Sequence, residues 1–70
     1  MKLEDFLKHL GGEDLTTITI EYHDREILRG LYKKQIVKQE VYQEIKDCDI
    51  QFFMVCHNSD IGCDLLVTLR

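Results

Sequence analysis

Cys56, His57 and Cys63 are the residues of this chain whose side chains offer the most chemistry. Thiolate and imidazole groups bind zinc, and a paired cysteine and histidine can act as nucleophile and base. Zinc sites in small domains usually contain closely spaced pairs such as C-x2-C, whereas six residues separate Cys56 from Cys63. Adjacent residues of a strand also face opposite sides, which keeps Cys56 and His57 from sharing one ion. The spacing favours packed thiols and an exposed His57, with a metal- or thiol-dependent activity as the alternative.

Other residue types that serve catalysis occur here without a supporting motif. Asp47 and Asp49 are two residues apart near a predicted strand start, where solvated carboxylates are expected. Gly11 and Gly12 lack the preceding strand and the spacing of a phosphate-binding loop. We therefore predict a protein without catalytic residues, metal ligands or a cofactor, and not an enzyme.

The charged residues are segregated along the chain, which has a net charge of −4. Residues 25–38 carry five basic side chains and one acid, and acids dominate on both sides of this segment. An acidic chain argues against general nucleic-acid binding, although weak binding through residues 25–38 stays open. We predict protein-docking surfaces instead, a basic one for an acidic partner and an acidic one for a basic partner. Their residues are Arg25, Arg29, Tyr32, Lys33, Lys34 and Lys38, followed by Glu40, Glu44 and Asp47.

The first half of the chain predicts a helix followed by a hairpin. Leu3, Phe6, Leu7 and Leu10 form the apolar stripe of an amphipathic helix over residues 2–10, which the two glycines at 11 and 12 end. The apolar period then changes to two from residue 16, as in a half-buried strand. Residues 23–26 are polar enough for a turn, and residues 27–32 predict the returning strand. Gly30 within that strand indicates a bulge or a close neighbour.

The second half predicts another helix and another hairpin. Residues 33–46 favour a helix because Val37, Val41 and Ile45 are four apart, although a strand over residues 41–45 is the alternative. From Cys48 to Cys56 apolar residues occupy both faces, so we expect a strand that is central or covered on both faces, at the deepest part of the core. Residues 58–62 predict a turn, and the last strand follows to the end.

These elements give one α+β domain over residues 1–70 with the order α-β-β-α-β-β. Two hairpins form a small, mostly antiparallel four-stranded sheet with a helix packed on one face. At this length the core is shallow, which disfavours a deep active site. A small sheet also leaves a strand edge to cover, and we expect a homodimer for that reason.

The composition predicts a cytoplasmic location. No run approaches the roughly 20 apolar residues that a membrane span requires, so no membrane association is expected. Acids occupy the start of the chain, where a signal peptide is basic. Three cysteines are an odd number without a close pair, which is typical of reduced thiols.

The layout as a whole resembles that of a group of small phage proteins. The segments are LEDFLKHL with GG, TTITIEY, EILRGLY with its glycine, DIQFFMVCHN and DLLVTLR. In this order they resemble the small acidic proteins encoded by phages and prophages of Gram-positive bacteria. The resemblance implies an inhibitor or modulator that binds a host protein, such as a defence nuclease. It supplies no site residues, because the group has no catalytic signature.

Overall fold

The computed structural model describes residues 1–10, 16–58 and 62–70, without the side chains of residues 56–58, 62 and 63. The helices are α1 (Leu3–His9), α2 (Lys33–Ile36) and α3 (Tyr42–Ile45). The strands are β1 (Thr17–Tyr22), β2 (Arg25–Leu31), β3 (Ile50–Asn58) and β4 (Gly62–Leu69). The predicted helix stop at residues 11–12 and most of the predicted turn at 58–62 lie outside the described residues.

One four-stranded sheet has the order β2-β1-β4-β3. β1 and β2 form an antiparallel hairpin, as do β3 and β4. The two hairpins meet through the parallel pair β1 and β4, because the segment containing α2 and α3 crosses over between them. The predicted α+β class and mostly antiparallel sheet are confirmed.

The core lies between the helices and one face of the sheet, here called the helix side. Every second residue of the two central strands is buried there, since successive strand residues face opposite sides. Leu3 and Leu7 of α1 cover them, which confirms the predicted amphipathic stripe. The buried apolar residues are Leu3, Leu7, Ile18, Ile20, Ile36, Tyr42, Ile45, Leu65, Val67 and Leu69.

The first hairpin is tighter than predicted. Only His23 and Asp24 lie between the strands, with φ of 51° and 61°, as the right-handed twist of a two-residue hairpin turn requires. The predicted irregularity at Gly30 is confirmed: Ile18 pairs with Leu31 and Ile20 with Leu28, so β2 has an extra residue. Gly30 itself has φ of 62°, a conformation that side chains disfavour.

Residues 33–46 are helical at both ends but do not form the single helix that we predicted. Between α2 and α3 the chain forms turns in which a backbone N–H donates a hydrogen bond to the carbonyl three residues earlier. One of these bonds joins Gln39 N to Ile36 O at 3.0 Å. The break has a packing reason. At about 100° per residue, Ile36 and Ile45 would lie on opposite sides of one straight helix, yet both are buried. Val37, predicted to face the core, is instead exposed, and the alternative strand over residues 41–45 is wrong.

The prediction of a central β3 at the deepest part of the core is also wrong. β3 is an edge strand, and β1 and β4 are central. Its apolar residues on both faces indicated burial, but β3 pairs with β4 alone among the described strands. The strand therefore carries its apolar residues at the border of the sheet.

Candidate functional site

Four consecutive apolar side chains of β3 are exposed. The exposed fractions are 46% for Phe52, 55% for Phe53, 47% for Met54 and 65% for Val55. The pairing of β3 with β4 shows on which side of the sheet each of these side chains lies. Phe53 and Val55 pair with Val67 and Leu65 on the helix side, whereas Phe52 and Met54 pair with Thr68 and Leu66 on the opposite, open side.

The first residues of the chain cover only the beginning of the outer edge of β3. Ile50 N–H donates to Met1 O at 2.8 Å, and Leu3 N–H donates to Cys48 O at 2.9 Å. From Gln51 onward, no backbone hydrogen bond from another described segment reaches the outer edge. Phe6 of α1 contacts Phe53 with 5.2 Å between ring centroids, which holds the helix beside this edge.

The two edges of the sheet differ in how they are protected. The β2 edge carries Arg25, Glu26 and Arg29 and has two register shifts, which are features that prevent strand addition. β3 has one register shift, between Ile50 and Phe52, but contains no charged residue and no proline from Ile50 to Asn58. Of the two edges, β3 is therefore the one on which another strand can pair.

The basic residues predicted to form one docking surface are divided between two ends of β2. Arg25 begins the strand, while Lys33, Lys34 and Lys38 follow its end. Arg25 and Leu31 are the two ends of this 7-residue strand, about 20 Å apart at about 3.3 Å per residue. Arg29 lies between them, 3.9 Å from the Glu26 carboxylate. The structure brings the three lysines together in one segment but not the two arginines with them.

Lys33 and Lys34 border a groove between α1 and the α2–α3 segment. Its volume is about 340 Å³. Lys33 Nζ donates to the carbonyl of Leu10, the residue after α1, at 3.0 Å. Tyr32, the remaining member of the predicted basic surface, is half-buried before α2, and its N–H donates to Gln35 Oε1 at 2.9 Å. The lining residues are Glu4, Leu7, Lys8, Lys33, Lys34, Val37 and Tyr42.

Tyr42 lines this groove and is largely buried. Burial raises the pKa of its phenol above the ordinary 10.0, and the nearby carboxylates of Glu4 and Asp47 raise the pKa further. The groove therefore favours the neutral phenol.

The predicted acidic residues lie on the same segment as the lysines. Glu40 precedes α3, Glu44 lies within it, and Asp47 follows it; all three are exposed. Asp47 is 3.9 Å from Lys2 Nζ. Acidic and basic side chains therefore adjoin around the α2–α3 segment.

The open side of the sheet carries a polar network centred on Asp64. Thr17 Oγ1 donates to Asp64 Oδ1 at 2.7 Å, and Thr19 Oγ1 donates to Asp64 Oδ2 at 3.1 Å. Gly30 N–H in turn donates to Thr19 Oγ1 at 3.1 Å. These bonds join β4, β1 and β2, and each hydroxyl is used for structure.

The side chains of Cys56, His57 and Cys63 lie outside the described residues, so their proposed chemistry stays a prediction. The backbone register places His57 opposite Cys63 and Cys56 opposite Asp64. Among the side chains that the structure describes, no group of three or more His, Cys, Asp or Glu could hold a metal ion. Cys48 is a free thiol, half-buried against the core.

The exposed residues of β3 are the site that sequence reasoning missed. Their signal was present as an uncharged run with apolar residues on both faces, but such a run fits a covered strand equally well. Only the strand order distinguishes the two.

Comparison with known proteins assigns this chain to no group. No protein-family model, curated protein or solved structure matches it. Within the described part of the chain, no helix has the length and apolar character that crossing a membrane demands.

Proposed function

We propose that this chain is a non-enzymatic protein-binding module whose contact surface is the outer edge of β3. The single observation behind the proposal is the run of four exposed apolar residues, Phe52 to Val55, on an edge strand without a charge. Contiguous apolar exposure of this kind in a small domain marks a surface that another molecule covers.

The edge offers both of the interactions that strand addition uses. Backbone N–H and C=O groups from Gln51 onward provide hydrogen bonds to an added strand, and alternate side chains provide contacts on each face. Because β3 is apolar on both faces, an added strand gains apolar contacts on the helix side from Phe53 and Val55 and on the open side from Phe52 and Met54.

The charged segment next to the groove has a secondary role in this proposal. The three lysines and the three acids around α2 and α3 are exposed or half-exposed and lie outside the sheet, on the segment between β2 and β3. Charges at the margin of an interface mainly steer association and select the partner. We expect them to change the rate of association more than the lifetime of the complex.

The partner that we propose is a cytoplasmic host protein, with inhibition or modulation of a bacterial defence protein as the specific role. This role rests on the resemblance to small acidic phage proteins. The half-buried free thiol of Cys48 supports a reducing compartment.

The test is capture of a partner from a bacterial lysate by three immobilised forms of the protein. Val55→Lys places a charge on the exposed edge, and we expect it to reduce recovery by at least about tenfold, since a buried unpaired charge costs more than 1.4 kcal/mol. Val37→Lys is the matched control, because Val37 is also an exposed valine, 42% accessible, but lies at the groove. It should recover the partner as the unmodified protein does.

Charge reversal separates the edge from the charged segment. One variant replaces Lys33, Lys34 and Lys38 with Glu, and another replaces Glu40, Glu44 and Asp47 with Lys. Both should retain the partner at low ionic strength. If Val55→Lys retains the partner while either charge-reversed variant loses it, the contact surface is the charged segment and the β3 proposal is wrong.

A further inference from the structure

We infer that β3 pairs with β3 of a second copy of this chain, antiparallel about a two-fold axis at Met54, when no other partner occupies the edge. The inference rests on the proposed function, because it uses the same outer edge as a contact surface. The result is a continuous eight-stranded sheet across the two copies, with β2 at both of its ends.

The residues of the free edge are self-complementary. From Gln51 to His57 the sequence has one polar residue, five apolar residues and one polar residue. With Met54 on the axis, Phe53 lies opposite Val55 of the partner subunit, and the polar ends, Gln51 and His57, lie opposite each other. No like charges meet, and the pairing of aromatic Phe53 with β-branched Val55 is a favourable cross-strand combination.

The position of the axis follows from what the chain already covers. Met1 and Leu3 bond to the chain around Ile50 and Cys48, so an added strand cannot pair with the beginning of β3. The free edge therefore extends from Gln51 to the end of the strand at Asn58. Met54 lies near its middle, and an axis there uses almost the whole free length in both copies.

The same axis places both α1 helices on one face of the combined sheet. An axis perpendicular to the sheet keeps the helix sides of both copies together and reverses the direction of one α1 relative to the other. Phe6 holds α1 beside Phe53, so each helix lies near the paired strands. The free edge of β3 contributes no charged residue to the contact, which limits the repulsion between two chains that each carry −4.

The small apolar area that two copies would bury against each other indicates a weak dimer that dissociates readily. If each large side chain offers roughly 150–250 Å², the four exposed residues contribute on the order of 400 Å² of apolar surface per copy. Twice this value is below the roughly 1,200–2,000 Å² of stable interfaces. We expect a dissociation constant of about micromolar order, which leaves the edge available to a competing partner.

The first test is the mass of the protein by sedimentation over a range of concentrations. The unmodified chain should pass from monomer to dimer in the micromolar range. Val55→Lys should raise the dissociation constant by at least about tenfold, and Val37→Lys should leave it unchanged. Far-ultraviolet circular dichroism checks that each variant folds, which is expected because both valines are exposed.

The second test determines the register. Met54→Cys places identical thiols at the axis, within disulfide distance, and should give a covalent dimer linked through position 54 under mild oxidation. Val37→Cys is the control and should give no link through position 37. Peptide mass spectrometry distinguishes these links from those of the native cysteines.

The outcomes separate this inference from the proposed function. A monomer at all concentrations, with partner capture still lost in Val55→Lys, overturns self-pairing and leaves the function standing. A dimer that Val55→Lys abolishes, without any captured partner, supports self-pairing and rejects binding of another protein. A dimer that persists in Val55→Lys uses another surface and overturns self-pairing.

Discussion

Tyr42 belongs to the buried core and also lines the groove, and its phenol is ionisable. Its ring belongs to the buried apolar cluster, and its pKa is raised by burial and by the carboxylates of Glu4 and Asp47. The folded protein therefore holds the phenolic proton more tightly than the unfolded chain does.

This difference predicts a loss of stability in alkaline solution. The folded pKa lies above the unfolded value, so the contribution of Tyr42 is complete below pH 10.0 and is lost as the pH rises through the folded pKa. The free energy of unfolding, measured by urea titration at several pH values, should decrease from about this pH upward. Tyr42→Phe should flatten that decrease, and Glu4→Gln should lower the pKa of Tyr42 as followed by phenolate absorbance. An unchanged pH dependence in Tyr42→Phe would contradict the assignment.

Among the elements, β1, β2 and β4 are joined by more than their backbone ladders. The carboxylate of Asp64 on β4 accepts the hydroxyls of Thr17 and Thr19, and Thr19 accepts the N–H of Gly30 at the bulge of β2. Thr19 is buried, so the loss of its acceptor leaves a donor away from water. The network thus supports the parallel junction between the two hairpins.

Asp64→Ala should lower the free energy of unfolding by about 1–3 kcal/mol, because a buried hydroxyl loses its acceptor. Asp64→Asn should cost less, since one amide oxygen remains to accept. Glu21→Ala is the control on the same side of β1, where a surface substitution should cost less than about 0.5 kcal/mol. Thermal unfolding provides the measurement, with roughly 4–8 °C expected per kcal/mol at this size. Equal effects of Asp64→Ala and Glu21→Ala would show that the network adds nothing.

The whole molecule is a sheet with two unequal edges. β2 is protected by Arg25, Glu26 and Arg29 and by its register shifts, while β3 exposes apolar residues beside the helix α1. If copies pair through β3, pairing stabilises the folded state by mass action.

The melting temperature should therefore increase with protein concentration. Once dimers are populated, we expect the melting temperature to rise by roughly 3–5 °C for each tenfold increase in protein concentration. This slope combines the free energy of stabilisation that mass action adds per chain with the change in melting temperature that such a free energy causes in a domain of this size. Val37→Lys should show the same slope, and Val55→Lys should show a melting temperature independent of concentration. A concentration-independent value for the unmodified chain in the micromolar range would reject self-pairing.

Local patterns determined most of the elements. The stripe of Leu3 and Leu7, the alternation around Ile18 and Ile20, and Gly30 at its bulge depend on neighbouring residues and on backbone geometry, which the sequence states directly. The segregation of charge was also visible, because charge is a property of each residue type.

Tertiary structure alone decided which strands lie in the centre and where residues 33–46 break. The residue types of an apolar run such as Phe52 to Val55 are the same whether or not another segment covers the run. They do not specify the strand order, because that order depends on pairing between distant segments. Likewise, Ile36 and Ile45 face one core only because the sheet is beneath both of them, which no helical period within the segment specifies.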